Sequence, residues 1–254
     1  MICRLPLLSE HQSISFERFL QSGTGKVLKA FENMFELEIE RSESLMEIAQ
    51  AHDSEALRGV VADPLYAVSS DLSGELRGRV HLLLQTGDHN YLAELLKPVL
   101  SLLFLSSPDA DLKTLDNARP GWMEDLGMPA MDDACFQAQM MDALTELGNV
   151  LIGIYSRSIH DLSALGTRHS LPRVEYVADP KAVPVNFHGV GTGDVPLMII
   201  DHLIQVDAAP IHLWCVISFA PDSFQDLLRG IDARTEPAAP SDIPVNFLRQ
   251  LASA

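Results

Sequence analysis

The chain repeats one order of predicted secondary structure, and this repeat constrains the fold more than any other feature. The stretch E-L-R-G-R-V-H-L-L-L followed by Y-L-A-E-L-L corresponds to a later stretch, A-P-I-H-L-W-C-V-I-S-F followed by F-Q-D-L-L. Each half, about residues 10–105 and 130–231, is predicted to run helix, strands, helix. Because either half alone would expose one face of its strand pair, we predict an α/β (α+β) fold in which both halves share one mainly antiparallel sheet with long helices packed across it.

Hydrophobic periodicity and turn residues predict the elements of the first half. Phe16, Phe19, Val27 and Phe31 have the spacing of one helical face, and Ser44 can cap a second helix. Ser, Asp and Gly residues at 69–74 are typical of a turn between two strands. The predicted elements are helices at 13–35, 44–57 and 88–105 and strands at 36–40, 60–68 and 75–85.

The second half begins after a connector at 106–129 that is rich in Pro, Asp and Gly. Asp132 or Asp133 can cap a long helix that runs towards Leu165. Strands are predicted at 173–177, 197–206 and 211–219, the last two joined by 207–210, and a final helix at 223–231. We therefore expect a single domain at 1–231, followed by a Pro/Ala-rich tail at 232–254 that is either a docking peptide or a frayed or self-packed terminus.

The charge of the chain narrows the classes of partner. It carries 35 acidic and 18 basic residues, a formal net charge of -17. Nucleic acids and anionic membranes attract Lys and Arg, so neither is an expected partner. A cationic or mixed-charge protein surface is the more natural target.

Cysteine usage and hydropathy predict a cytoplasmic protein. Cys3, Cys135 and Cys215 are odd in number and far apart, which indicates no disulfide framework and no zinc site. The N-terminal residues lack the long apolar region of a signal peptide. The apolar run at 99–105 is far shorter than the roughly 20 residues of a membrane-spanning helix.

A polar row on the long helix of the second half is the strongest indication of function. Asp142, Glu146, Asn149 and Gly153 are spaced by four, three and four residues. At about 100° per residue these positions fall within about 60° of one another, whereas Leu144 and its apolar neighbours lie on the opposite side. The helix thus has an apolar face to bury and a row through which Glu146 and Asn149 can contact another molecule.

With Pro172, which follows Asn149 after a gap of 22 residues, this row completes a pattern. Asp142, Glu146, Asn149 and Pro172 match the signature of the CheC/CheX/FliY family of chemotaxis phosphatases, which the chain resembles: Asp or Ser, three residues, Glu, two residues, Asn, 22 residues, Pro. The resemblance implies the pseudo-duplicated CheC-like fold.

The resemblance also implies an activity, namely hydrolysis of the aspartyl phosphate on a CheY-like response regulator. Asn149 would orient the attacking water, and Glu146 would contact the regulator's active-site lysine. The protein would need no cofactor of its own, because Mg²⁺ would be bound by the phosphorylated partner. The alternative is a non-catalytic adaptor of the same fold, which binds a response regulator, a receptor deamidase or the flagellar switch.

The first half departs from the signature. One alignment of its helix places Leu20 at the Asn position, and another places Arg18 and Gln21 at the Glu and Asn positions. Neither gives a complete site, so the resemblance implies one site, in the second half. Gln21 keeps the amide group on a longer side chain, yet the first half is expected to be structural.

Other patterns are weaker. The glycines at 189–194 favour a hairpin loop over a phosphate loop, because no Lys follows. His188, His202 and His212 could converge on a metal, but core or surface histidines explain them better. Gly148 and Gly153 either let a partner approach the helix or allow close packing within this protein. No motif for covalent catalysis is present in the sequence.

Overall fold

The computed structural model describes residues 8–35, 38–50, 65–86, 133–177, 195–206 and 209–234. These residues form three helices and seven strands, which we number in chain order. The helices are α1 (Glu10–Phe35), α2 (Asp133–Ser163) and α3 (Pro221–Ala233). The strands are β1 (Arg41–Gln50), β2 (Leu65–Gly74), β3 (Gly78–Thr86), β4 (Thr167–His169), β5 (Arg173–Val177), β6 (Pro196–Val206) and β7 (Ala209–Phe219).

All seven strands belong to one antiparallel sheet. Its order is β1-β6-β7-β3-β2, and both β4 and β5 pair with the outer side of β2. The strand that follows α1 therefore pairs with the β6–β7 hairpin, and the strands that follow α2 pair with the β2–β3 hairpin. This symmetric exchange confirms the pseudo-duplicated fold predicted from the repeat.

The three helices pack on one face of the sheet. Alternation along β7 shows the two faces clearly, because Leu213, Cys215 and Ile217 belong to the core beneath the helices, whereas Trp214 and Val216 belong to a second buried cluster on the other face. From α1, Phe16, Phe19, Val27, Phe31 and Phe35 enter the core. Burying one large apolar side chain stabilises a fold by about 1.5–3 kcal/mol, so α1 is firmly attached to the sheet.

The prediction of a helix at 44–57 is wrong in its described part, where β1 runs from Arg41 to Gln50. The predicted strand at 36–40 is also displaced, since 38–40 are irregular. Pairing with β6 along all ten residues outweighs the local helical pattern. Ser44 does not cap a helix; its hydroxyl lies 2.7 Å from Nδ1 of His202 on the neighbouring strand.

The predicted turn at 69–74 is wrong as well, because β2 continues to Gly74. Hydrogen-bonded neighbours on both sides, β3 on one and β4 with β5 on the other, hold these polar residues in extended conformation. The chain turns at 75–77 instead, after Gly74, whose φ of 110° is favourable only for glycine. The short strand β4 was not predicted.

The remaining described elements agree with the predictions to within a few residues: α1, α2, β3, β5, β6, β7 and α3. The predicted helix at 88–105, the connector at 106–129, the loop at 189–194 and nearly all of the tail lie outside the described residues. No helix within the described ranges is long and apolar enough to cross a membrane.

Candidate functional site on the second long helix

The helix that carries the polar row is anchored by its opposite face. Leu144, Leu147 and Leu151 of α2 are buried in the core, as the sequence predicted. At 31 residues, α2 is the longest of the described helices. A long helix packed along one side is a rigid support for residues on the other side.

The polar row lies at the surface. Asp142 and Glu146 are exposed, and Asn149 is partly exposed. The structure shows no hydrogen bond or ion pair from these three side chains to any described residue. Their carboxylate and carboxamide groups are therefore available to a second molecule, and the carboxamide of Asn149 can both donate and accept.

Gly148, next to Asn149 in the chain, is where α2 comes closest to the sheet. A Cβ atom at this position would lie 2.3 Å from Cγ1 of Val68 on β2 and 3.7 Å from Cβ of Pro172. Both neighbours are buried. Gly148 thus serves packing within this protein, and Pro172 helps to support the helix turn that carries Asn149.

This contact gives the spacing between Asn149 and Pro172 a physical meaning. After Asn149 the chain completes α2, forms β4 and returns beneath the helix immediately before β5. Pro172 lacks an N–H group and has a fixed φ, which suits a residue at the start of a strand. The residues of the sequence pattern are therefore brought together in space, with Pro172 below the row rather than in it.

Gly153 has a different environment. Among the described residues beyond the neighbouring backbone of its own helix, one atom lies within 4 Å of the position of its missing Cβ, namely Nε2 of His169 at 3.7 Å. Nδ1 of His169 lies 3.1 Å from the carbonyl oxygen of Ser170. The row on α2 is thus bordered at Gly153 by an imidazole from β4.

A buried polar network connects α2 to the sheet. Oη of Tyr155 lies 2.6 Å from Nε2 of His202, whose Nδ1 faces Ser44 on β1. Burial lowers the pKa of His202 to about 4 and raises the pKa of Tyr155. The imidazole is therefore neutral at pH 7, so one hydroxyl donates to it and the other accepts from it. These contacts fix α2 against the sheet at Tyr155, less than two turns beyond Asn149.

The histidines do not form a metal site in the described part of the chain. His202 lies on the helix-covered face of the sheet, whereas His212 stacks on Trp214 on the other face, with ring centroids 5.2 Å apart. His188 lies outside the described residues. No group of three His, Cys, Asp or Glu residues that could hold a metal occurs within the described ranges.

Three residues near the row were not predicted from the sequence. Val68 packs under Gly148, His169 borders Gly153, and Leu171, which precedes Pro172, is 83% exposed. Only the proximity of His169 and Leu171 to Pro172 in the sequence could have indicated them.

Comparisons with known proteins support the fold. No protein-family model and no curated protein matches the sequence. FliY from Thermotoga maritima, solved by X-ray crystallography, is similar with a TM-score of 0.56 and 14% identity, over 89% of this chain and 98% of that chain. This likeness shows the fold, and the CheC-like fold implied by the resemblance is thereby confirmed.

Two further solved structures are similar at lower TM-scores. A chain of the CheX-CheY-BeF3-Mg²⁺ complex from Borrelia burgdorferi has a TM-score of 0.40 and 14% identity, over 78% of this chain and 97% of that one. A chain of the FliM-SpeE complex from H. pylori has a TM-score of 0.49 and 9% identity, over 89% and 97%. The fold assignment rests on FliY.

Proposed function

We propose that this protein is a cytoplasmic phosphatase that hydrolyses the aspartyl phosphate of a CheY-like response regulator. One observation carries the proposal. Glu146 and Asn149 lie side by side on the outer face of a firmly packed helix, and neither side chain is bound to a described residue of its own chain. Two polar groups held in a fixed arrangement without internal partners are suited to enter the active site of another protein.

Asn149 supplies the positioning that this reaction requires. Hydrolysis of a phosphoryl group passes through a loose transition state, in which alignment of the water matters more than a strong base. The carboxamide oxygen of Asn149 accepts a hydrogen bond from the water, and its amide group donates to an oxygen nearby. The Mg²⁺ bound by the partner would neutralise charge on the phosphoryl oxygens, and this chain would contribute orientation and exclusion of bulk water.

Glu146 sets the register of the complex. It lies three residues before Asn149, so the two side chains project from adjacent turns of the same face. A carboxylate at this position pairs with the lysine beside the regulator's phosphate. Because the pair forms at an interface that excludes water, it contributes more there than an ion pair on a free surface.

The first half is proposed to be structural. On α1, Arg18 and Gln21 are exposed, and Leu20, at the alternative Asn position, is partly buried. The position three residues before Gln21, which corresponds to Glu146 in this alignment, holds Arg18 rather than a carboxylate. The two halves therefore differ in charge at the position that would contact the regulator's lysine.

The decisive experiment measures the decay of a phosphorylated CheY-like regulator in excess Mg²⁺. The wild-type protein should accelerate decay, and Asn149→Ala should abolish the acceleration while binding of the regulator persists. Glu146→Lys should weaken both acceleration and binding, since it places like charges together. Gln21→Ala is the matched control on α1 and should behave as the wild type.

Each alternative has its own signature in this assay. Unchanged decay together with measurable binding of the wild-type protein would favour the non-catalytic adaptor. Normal turnover by the Asn149→Ala variant would refute the proposed mechanism. Neither binding nor acceleration by the wild type would refute a response regulator as partner.

A further inference from the structure

We infer that His169 is a second water-binding residue of this site, acting with Asn149. The inference rests on the proposed function and adds to it a residue that lies outside the sequence pattern. Three observations carry it: the side of the sheet on which His169 lies, its distance from the polar row, and the hydrogen atom that its ring must carry.

The sheet places His169 beside the row. On β4, His169 pairs with Leu72 of β2, which is buried in the core beneath the helices. Paired residues project to the same face of a sheet, so His169 points towards α2. Its neighbour Arg168 pairs with Ser73 and projects to the other face.

The distance to the row is short. Nε2 of His169 lies 3.7 Å from the position that a Cβ of Gly153 would occupy. Residues four apart on a helix have Cβ positions about 5–6 Å apart, so Asn149 stands one turn away on the same stripe. Since Gly153 has no side chain, nothing from this position fills the space between the imidazole and the carboxamide. The inference is that a single water molecule contacts both groups.

The hydrogen bond to Ser170 defines which nitrogen of the His169 ring carries the hydrogen. A carbonyl oxygen only accepts, so Nδ1 of His169, 3.1 Å away, carries the hydrogen and donates it. In the neutral ring Nε2 then has a lone pair. Nε2 makes no hydrogen bond to the described residues, and it faces Gly153. The structure thus presents a hydrogen-bond acceptor at the end of the row, where Asn149 presents both a donor and an acceptor.

Atoms and charge are conserved in the hydrolysis step with His169 in this position. The water oxygen bonds to phosphorus as the bond from phosphorus to the aspartyl oxygen breaks, which releases the regulator's carboxylate and inorganic phosphate. One water proton moves towards Nε2 of His169 as the new bond forms, and the partly exposed imidazole then returns it to solvent. No oxidant, reductant or further reactant is needed.

The test compares His169→Ala with the wild type in the decay assay over a range of protein concentrations. We expect the maximal acceleration to fall about tenfold, the ratio that corresponds to 1.36 kcal/mol of transition-state stabilisation. The concentration that gives half of the maximal effect should not change, because binding relies on other contacts. Added imidazole should restore part of the acceleration to His169→Ala, and His169→Gln should retain part of it by offering an acceptor.

Arg168→Ala is the matched control, because it alters the same strand on the opposite face and should leave the acceleration unchanged. Full acceleration by His169→Ala, with Asn149→Ala inactive, would overturn the inference and leave the proposed function intact. A loss that imidazole does not restore, or that appears as weaker binding, would assign His169 a structural role and also overturn it. Without acceleration by the wild-type protein, both the proposed function and this inference fail.

Discussion

Replacing Gly148 by alanine tests the close approach between α2 and the sheet. The added Cβ would lie 2.3 Å from Cγ1 of Val68, whereas ordinary contacts begin at 3.4 Å. Val68 is buried and β-branched, so its side chain has little freedom to rotate away. Either the helix or β2 must therefore move by about 1 Å.

The expected magnitude follows from two opposing effects. Alanine in place of glycine stabilises a helix interior by about 1 kcal/mol, and overpacking a core costs about 1–3 kcal/mol. Gly153 isolates the first effect, because the contact that a Cβ there would make with the described residues is an ordinary one, with Nε2 of His169 at 3.7 Å. Gly148→Ala should therefore be less stable than Gly153→Ala by about 1–3 kcal/mol.

Urea unfolding followed by circular dichroism measures this difference, and a double-mutant cycle with Val68→Ala assigns it. In the Val68→Ala background, Gly148→Ala should become stabilising, with a coupling energy of about 1–3 kcal/mol. Equal stabilities for the two alanine variants, or no coupling to Val68, would refute the close approach. Because Asn149 adjoins Gly148, a shift of about 1 Å should also reduce the rate of the proposed phosphatase reaction by up to about a hundredfold.

Two further predictions concern the buried histidines. Burial lowers the pKa of His202 to about 4, and burial together with the nearby Arg79 lowers the pKa of His81 to about 4. Because both pKa values are lower in the folded protein, the unfolded chain binds protons more readily below about pH 6.5. The free energy of unfolding should therefore keep its full value above that pH and decrease towards pH 4, by up to about 1.4 kcal/mol per pH unit for each histidine. Urea unfolding at several pH values measures the slope, and constant stability between pH 7 and 5 would contradict it. Separately, Tyr155→Phe leaves Nε2 of the buried His202 without its partner and should cost about 1–3 kcal/mol at pH 7; an unchanged urea midpoint would show that the network contributes nothing.

Much of the architecture could be predicted from the sequence because strong local patterns coincide with the final elements. The apolar stripe of α2 and the two long apolar runs of β6 and β7 each determine an element by periodicity alone. The repeat added the inference that the halves share a sheet. The remaining elements depend on pairing between distant parts of the chain, which local patterns do not reveal. At 44–50 the local pattern favours helix, and only the β6 partner, encoded far along the chain, makes it a strand.

In the candidate site, too, some residues could be predicted from local spacing, whereas others depend on long-range pairing. Glu146 and Asn149 could be identified because helical spacing places them together without knowledge of any other element. The residues that pack beneath or beside them could not be identified from the sequence. Val68 and His169 reach the row through the sheet register, and the contact of Gly148 with Val68 depends on how closely a helix and a strand approach.

The exchange of outer strands between the halves has a consequence for how the protein is made. Leu45 of β1 pairs with Asp201 of β6, and these residues are separated by roughly 150 positions in the chain. A ribosome adds about 5–20 residues per second, so β1 emerges roughly 8–30 s before its partner exists. During that interval the backbone N–H and C=O groups of β1 that pair with β6 have no partner, and an unpaired apolar strand is an aggregation hazard. The first half therefore cannot complete its sheet until β6 has been synthesised and has left the ribosome.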